Sequence, residues 1–329
     1  MTSVMTVTGP VEADALGRVL VHEHVRISYP GDHLDPAYAF DRDACVATAV
    51  ERMHQLAEHG VRTFVDPCPI ELGRDPELLA EVATRSGMQI VCATGFYFEG
   101  VGIPYYWRSR SAEEVAELYL HEIEHGIGST GIRPGVIKIA SGDPVGEHER
   151  TVIAGAAIAA RESGLPVISH CERSAGADVQ QAILAGHGVD LGRCLIGHQD
   201  EEPDVGNLRA IADRGSFVGV DRIGLEILAP DARRAEHVAL LVTEGYVDWL
   251  CLSQDHMCCL ASPKFPYPVP PELVGAFDEL RPVVLEQMVG RPHTYLFTDF
   301  LPRLRDHGVG DDEIDTLLTA NPRRLLAGS

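Results

Sequence analysis

The chain predicts an α/β protein built as a single (β/α)8 TIM barrel, and three observations carry that expectation. Eight short, nearly continuous apolar runs alternate with stretches of helical periodicity, as parallel strands buried on both faces do. Side chains able to do chemistry stand in or at the ends of five of these runs, where barrel sites gather. No glycine-rich dinucleotide fingerprint follows the first run, which weighs against a doubly wound open sheet.

Residues 3–16 read as a small strand and turn, with Gly9-Pro10 as punctuation. Gly17–Val25 is the first barrel strand, ending in His22-Glu23-His24. Alternation along a strand sends both imidazoles to one face and Glu23 to the other. A polar loop opens at Tyr29-Pro30-Gly31-Asp32, and a helix over 41–59 stops at Gly60. The second strand is Val61–Asp66, closed by Pro67. A helix near 75–86 leads through Gly87 to the third, Gln89–Thr94, stopped at Gly95.

A long aromatic connection (Phe96, Tyr97, Phe98, Tyr105, Tyr106, Trp107) precedes a helix with Ser111 as N-cap. The fourth strand is Gly135–Ala140. Helices over 148–163 and 176–186 precede the fifth and sixth, Leu165–His170 and Cys194–His198. Ser216–Asp221 and Trp249–Asp255 are the seventh and eighth. Beyond Asp255 the periodicity lapses into a proline-rich stretch at about 256–290, the expected cap over a binding site. An amphipathic helix from about 293 and a last one through Asn321-Pro322-Arg323-Arg324 close one barrel domain over residues 1–329.

Composition sets limits. A formal charge of −22 argues against nucleic acid or an anionic membrane as partner. Nothing approaches a run of eighteen apolar residues, and the start has neither a basic nor an apolar leader segment, so the cytoplasm is the expected compartment. Eight cysteines without CxxC spacing fit buried free thiols there. Vicinal Cys258-Cys259 are expected behind the site.

The barrel brings His22, His24, Lys138, His170, His198 and Asp255 to one end. Two imidazoles one residue apart can chelate a divalent cation. Lys138 is the least ordinary member, because burying an ammonium inside an apolar strand is costly.

This ordered set resembles the binuclear amidohydrolase superfamily and, more closely, the phosphotriesterase family and its lactonase branch. The likeness runs from Thr8-Gly9-Pro10 through Ala93-Thr94-Gly95, Val136-Ile137-Lys138, Ile196-Gly197-His198 and Val220-Asp221-Arg222 to Asn321-Pro322-Arg323-Arg324. It implies that His22, His24 and Asp255 hold one divalent metal and that His170 and His198 hold a second. Lys138, carboxylated by CO2, would bridge them. Zinc is the first expectation, with cobalt, manganese or iron also suited to such donors. A metal-bridging hydroxide would be the nucleophile and Asp255 its proton acceptor. By the same resemblance Tyr97 would touch the substrate carbonyl and Arg222 would line the pocket. Met257–Pro271 and Tyr105–Trp107 would form the acyl or leaving-group pocket. A homodimer is compatible with the resemblance.

The chain departs from the common pattern in Ser169-His170-Cys171-Glu172, in the acidic Gln199-Asp200-Glu201-Glu202, and in the long stretch after Asp255. The function expected is a metal-dependent hydrolase of neutral lactones, N-acyl-homoserine lactones among them, with promiscuous phosphotriesterase and esterase activity. A primary phosphotriesterase or carboxylesterase is the alternative. A Schiff-base lyase using Lys138 is a distant alternative that would leave five aligned metal ligands without a task. A metal that only stabilises the fold predicts closed four-coordinate sites, where a carboxylate, a lysine and a long loop above them suit an open one.

Overall fold

The computed structural model describes residues 3–264 and 274–328. The chain opens with an antiparallel hairpin, β1 (Ser3–Thr6) and β2 (Gly9–Glu12). Next, β3 (Arg18–Leu20) enters the barrel, and β4 (His24–Ile27) leaves it at the top. The other barrel strands are β5 (Val61–Asp66), β6 (Gln89–Gly95), β7 (Val136–Ser141), β8 (Val167–Cys171), β9 (Cys194–Ile196), β10 (Phe217–Val220) and β11 (Leu250–Leu252). They pair in parallel in sequence order from β3 to β11, giving eight strands in a nearly closed barrel. A further strand, β12 (Met257–Leu260), pairs in parallel with β4.

Helices α1 (Arg42–Glu58), α2 (Pro76–Ser86), α3 (Ala112–His125), α4 (Glu147–Ser163), α5 (Ala177–Gly186), α6 (Gly206–Asp213) and α7 (Asp231–Thr243) flank the sheet. Their starts follow from local chemistry. Asp41 accepts from Ala44 N and Asp75 from Leu78 N, while Ser111 and Glu114 form a reciprocal capping box.

Two apolar layers fix which way each strand faces. The barrel interior is filled by Val19, Val65, Val91, Val136, Ile168, Leu195, Phe217 and Cys251, with Leu16 and Leu325 in the same cluster. On β7 the alternate residues Ile137 and Ile139 pack outward with Val115 and Val152 of the helices. Lys138, two residues beyond Val136, therefore points into the barrel, and His170 follows Ile168 in the same way. Below the barrel, Asn321 Nδ2 donates to the carbonyls of Val247 and Leu250, both at 2.7 Å.

The histidine-bearing first strand differs from the single strand expected over 17–25. It ends at Leu20, and the chain resumes strand geometry at His24. Val21–Glu23 leave the ladder because their partners lie elsewhere. Glu23 N donates to Val65 O, and His22 N donates to Ser253 Oγ, both at 3.0 Å. Among the described residues β3 and β11 share no ladder of their own. The seam is made above them by Asp255 N to His22 O (3.0 Å) and His24 N to His256 O (2.8 Å). The buried Glu23 carboxylate adds to it, accepting from Ser253 Oγ, Gln254 N and His256 N.

The stretch at 256–290, expected as a long ordered loop capping the site, contributes Met257, Val284 and Met288 to the cavity but is not a loop throughout. It contains β12 and a helix, α8 (Val274–Leu285), continued as a wider turn through Gly290. Met257 pairs with His24 in register, which an uninterrupted loop could not do. Residues 265–273, which include the part of the expected Met257–Pro271 wall from 265 onward, lie outside the described residues.

Candidate metal centre

His22, His24, Lys138, His170, His198 and Asp255 all come to the carboxyl end of the barrel, and all but His198 line one cavity of about 250 Å³. His198 joins the cluster from the cavity floor. Its Nε2 lies 3.7 Å from Asp255 Oδ2, and its ring stacks on that of His22 at 4.8 Å between centroids.

Three of the histidines are oriented from behind by carboxylates. Asp221 accepts from His22 Nδ1 at 2.8 Å with one oxygen and from His198 Nδ1 at 3.0 Å with the other. Asp66 Oδ1 takes His24 Nδ1 at 3.1 Å, and Asp66 Oδ2 takes Val25 N. With the Nδ1 protons committed, each Nε2 faces inward toward Asp255. The distances to Asp255 Oδ1 are 3.8 Å from His22 and 3.3 Å from His24. An outer carboxylate that fixes the histidine tautomer and raises its basicity is what a metal-ligating imidazole needs.

Protonation supports the same reading. Burial holds His22 below its usual pKa and His198 well below it, and burial takes His170 down to about 4. Burial alone would also lower His24, but its bonds to Asp255 and Asp66 outweigh it and raise the group to about 9. His24 thus lies between two carboxylates, with Asp66 3.1 Å from Nδ1 and Asp255 3.3 Å from Nε2. Burial opposes the charge on Asp255, yet His198, His24, His22 and Arg222 hold it well below the carboxylate range. Lys138 is only 2 % exposed, its Nζ lies 3.1 Å from His22 Nε2, and burial lowers its amine to about 8.

His198 Nε2 supplies the test of fit. It is fully buried and has no hydrogen-bond partner among the described residues. An orphaned buried acceptor is costly unless something absent from the chain completes it. His22, His198 and Asp255 place one ligand atom each within 4.8 Å of one another. Neutral imidazoles, a carboxylate and a low-pKa amine are donors that divalent transition metals take.

Arg222 is no surface arginine. Its Nε meets Asp255 Oδ2 at 3.1 Å, and its NH1 pairs with Glu201. This accounts for part of the acidic run after His198, since Asp200 pairs likewise with the buried Arg234 at 2.6 Å. The Tyr97 hydroxyl stands 3.3 Å from His170 Nδ1 and lines the cavity. Ile27, Leu72, Leu228, Met257, Val284 and Met288 form its apolar wall.

Two expectations need correction. Tyr105–Trp107 do not line the cavity. Tyr105 and Tyr106 are 90 % and 62 % exposed, and Trp107 packs on Phe96 at 5.6 Å, held by the one-turn helix Tyr105–Ser109. His22 and His24 do both face the cavity with Glu23 turned away, but the continuous strand expected to put them there does not hold either, because it breaks before His24. The rings converge through Asp221 and Asp66 instead.

Asp66, Asp221 and Glu23 are the residues that the sequence reading left without a role. A signal was available for two of them. Asp66 and Asp221 each end an apolar strand, as Asp255 does.

The model of the phosphotriesterase family matches residues 2–326 of the chain. An aryldialkylphosphatase from Saccharolobus solfataricus is 32 % identical over 324 residues, covering 96 % of this chain and 97 % of its own. The organophosphorus hydrolase from Deinococcus radiodurans superposes with a TM-score of 0.88 at 34 % identity, over 99 % of this chain and 97 % of that one. A structure concerned with engineering organophosphate hydrolysis from a weak promiscuous lactonase template gives 0.88 at 35 %, covering 99 % and 100 %.

Proposed function

Because the chain belongs to the phosphotriesterase family of ester hydrolases, we propose that it is a two-metal hydrolase that opens neutral lactones, with phosphotriesters and simple esters as side substrates. The observation that carries this reading is the convergence of three inward-facing Nε2 atoms on Asp255 at the floor of a cavity with an apolar wall. His22, His24 and Asp255 would hold one cation and His170 and His198 the other. Lys138 would lie between them as the carbamate formed when its neutral amine adds CO2 and releases a proton. Such cations, when bound, supply Lewis acidity and make water a nucleophile near neutral pH.

The chain's own groups do the rest. Asp255 accepts the proton of the attacking water and hands it outward, with Arg222 Nε fixing the carboxylate for that exchange. Arg222 brings positive charge to the cavity wall, where an anionic transition state gains from it. The Tyr97 hydroxyl, on the cavity wall 3.3 Å from His170 Nδ1, would donate to the substrate's oxo group. The apolar wall holds the acyl or alkyl part and keeps bulk water from the reacting centre.

A primary phosphotriesterase is the second reading, favoured by the aryldialkylphosphatase and organophosphorus hydrolase among the relatives. A panel separates the two: N-acyl-homoserine lactones, γ- and δ-lactones, an aryl acetate and an aryl dialkyl phosphate, each on metal-loaded wild type and Lys138→Ala. Lactone turnover well above that of the phosphate, and lost in the variant, is the expected result. Dominant phosphate turnover makes the second reading primary. Undiminished activity in Lys138→Ala removes the bridging role, and borohydride inactivation with a carbonyl substrate would point to a Schiff base.

A further inference from the structure

Glu172 is the one acid besides Asp255 among the described residues lining the cavity. Its Oε2 takes His170 Nε2 at 3.0 Å, and the side chain is 26 % exposed. No described residue bonds Oε1.

The carboxylate is held there by a constrained turn. Arg173 and Ser174, directly after it, have φ of 53° and 58°, and Ser174 Oγ donates to His198 O at 2.5 Å. Non-glycine residues in the left-handed region carry strain that surrounding bonds must hold.

Two other charges of the cavity, Arg222 and Asp255, are matched to each other. Arg222 faces both Asp255 and Glu201. Asp255 faces Arg222 and the histidines, and the bound cations would balance it further. What remains at the cavity wall is the uncommitted acceptor oxygen of Glu172, Oε1.

We propose that Glu172 is a specificity-determining residue that selects substrates bearing a hydrogen-bond donor, an amide N–H or an ammonium, beside the scissile ester, and rejects anionic ones. The proposal rests on the hydrolase reading above and narrows its substrate class. Glu172 Oε1 accepts from the donor, while Oε2 stays on His170, so recognition needs no movement of the carboxylate. A substrate carboxylate or sulfonate in the same place would meet like charge in a partly desolvated wall, where repulsion is weakly screened. A bond to a charged acceptor that is lost without replacement costs roughly tenfold or more in selectivity.

The test uses ratios within a series, on metal-loaded full-length protein. One series holds an N-acyl-homoserine lactone, a γ-alkyl-γ-butyrolactone of equal chain length without N–H, and a lactone with a terminal carboxylate. A second holds aryl esters whose acyl chains are neutral, ammonium-bearing or carboxylate-bearing. Glu172→Gln can still accept from His170 Nε2 but lacks the charge, and Glu172→Ala lacks both. Metal content and the Co²⁺ absorption spectrum are recorded for each protein.

In wild type the donor-bearing member should lead its series in kcat/KM by roughly tenfold, with the anionic member last. Glu172→Ala should flatten the donor preference, and Glu172→Gln should relieve the penalty on the anion with an unchanged Co²⁺ spectrum. Ratios that stay the same in both variants overturn the proposal. So does a uniform fall across all members accompanied by lost metal, which would make Glu172 a positioning residue for His170 alone. If wild type ignores lactones but hydrolyses the aryl esters, the lactone reading fails, and the ester ratios still decide the role of Glu172.

Discussion

Asp221 and His22 meet at 2.8 Å, carboxylate oxygen to Nδ1, in a gap that exists because two neighbouring strands carry no side chain there. A Cβ on Gly197 or on Gly219 would stand 2.8 Å from Asp221 Oδ2. The same carboxylate orients His198, so one buried acid and two glycines set half of the histidine donors.

Replacing Asp221 by Ala should therefore disturb both imidazoles at once. Outer carboxylates of this kind are worth about 10–100-fold in metal affinity or activity. Metal retention against a competing chelator should fall by at least that order. Retention equal to wild type would mean that the histidines are held by packing alone.

Gly219→Ala makes the same point without removing any charged group. Its new methyl would also lie 2.9 Å from Gly197 Cα, so the carboxylate must move. Activity and metal affinity should drop together while the circular dichroism spectrum stays native. Full activity in a folded variant would show that Asp221 has more freedom than its surroundings suggest.

Glu23 should matter for stability rather than turnover. Glu23→Ala strands the Ser253 hydroxyl and two backbone amides, and each buried unpaired donor costs about 1–3 kcal/mol. Denaturant unfolding should show a loss of at least about 2 kcal/mol, with Glu23→Gln less affected. An unchanged midpoint for the alanine variant would refute the sealing role.

Glu71 gives a pH dependence. Burial raises its carboxyl to about 8, against the bonds it accepts, among them two from Tyr97 N. The folded chain holds this proton after the unfolded chain has released it, near the ordinary value of 4.5. Stability from this group is complete below that value, declines as pH rises, and is gone above about 8. Unfolding of Glu71→Gln measured from about pH 5 to about pH 9 should lack this decline. Parallel pH curves for variant and wild type would sink the assignment.

Much of this was legible in advance, for identifiable reasons. Apolar runs such as Gly135–Ala140 and Leu165–His170 lie within a residue or two of β7 and β8, because strands buried on both faces leave an unambiguous pattern. The six clustered side chains were legible because barrel topology delivers strand ends to one place. The break after Leu20 was not, since it depends on Ser253 and Val65, partners distant in sequence. The stretch after Asp255 misled because prolines obscure a helix that tolerates Pro282 within it. Tyr105 and Tyr106 misled because aromatic composition does not say which side of a turn faces the cavity.

The seam between first and last strands has a consequence for biogenesis. His22 and His24 leave the ribosome more than two hundred residues before Ser253, Asp255 and His256, to which they are bonded. Bringing such distant segments together is the entropically slow part of folding. A nascent chain can display its first two imidazoles early, yet it cannot offer a carboxylate opposite them until the ring of strands shuts. On the proposed two-metal reading, cation capture would be deferred to the end of synthesis, and a chain truncated before Asp255 should emerge both unsealed and without a full set of candidate ligands.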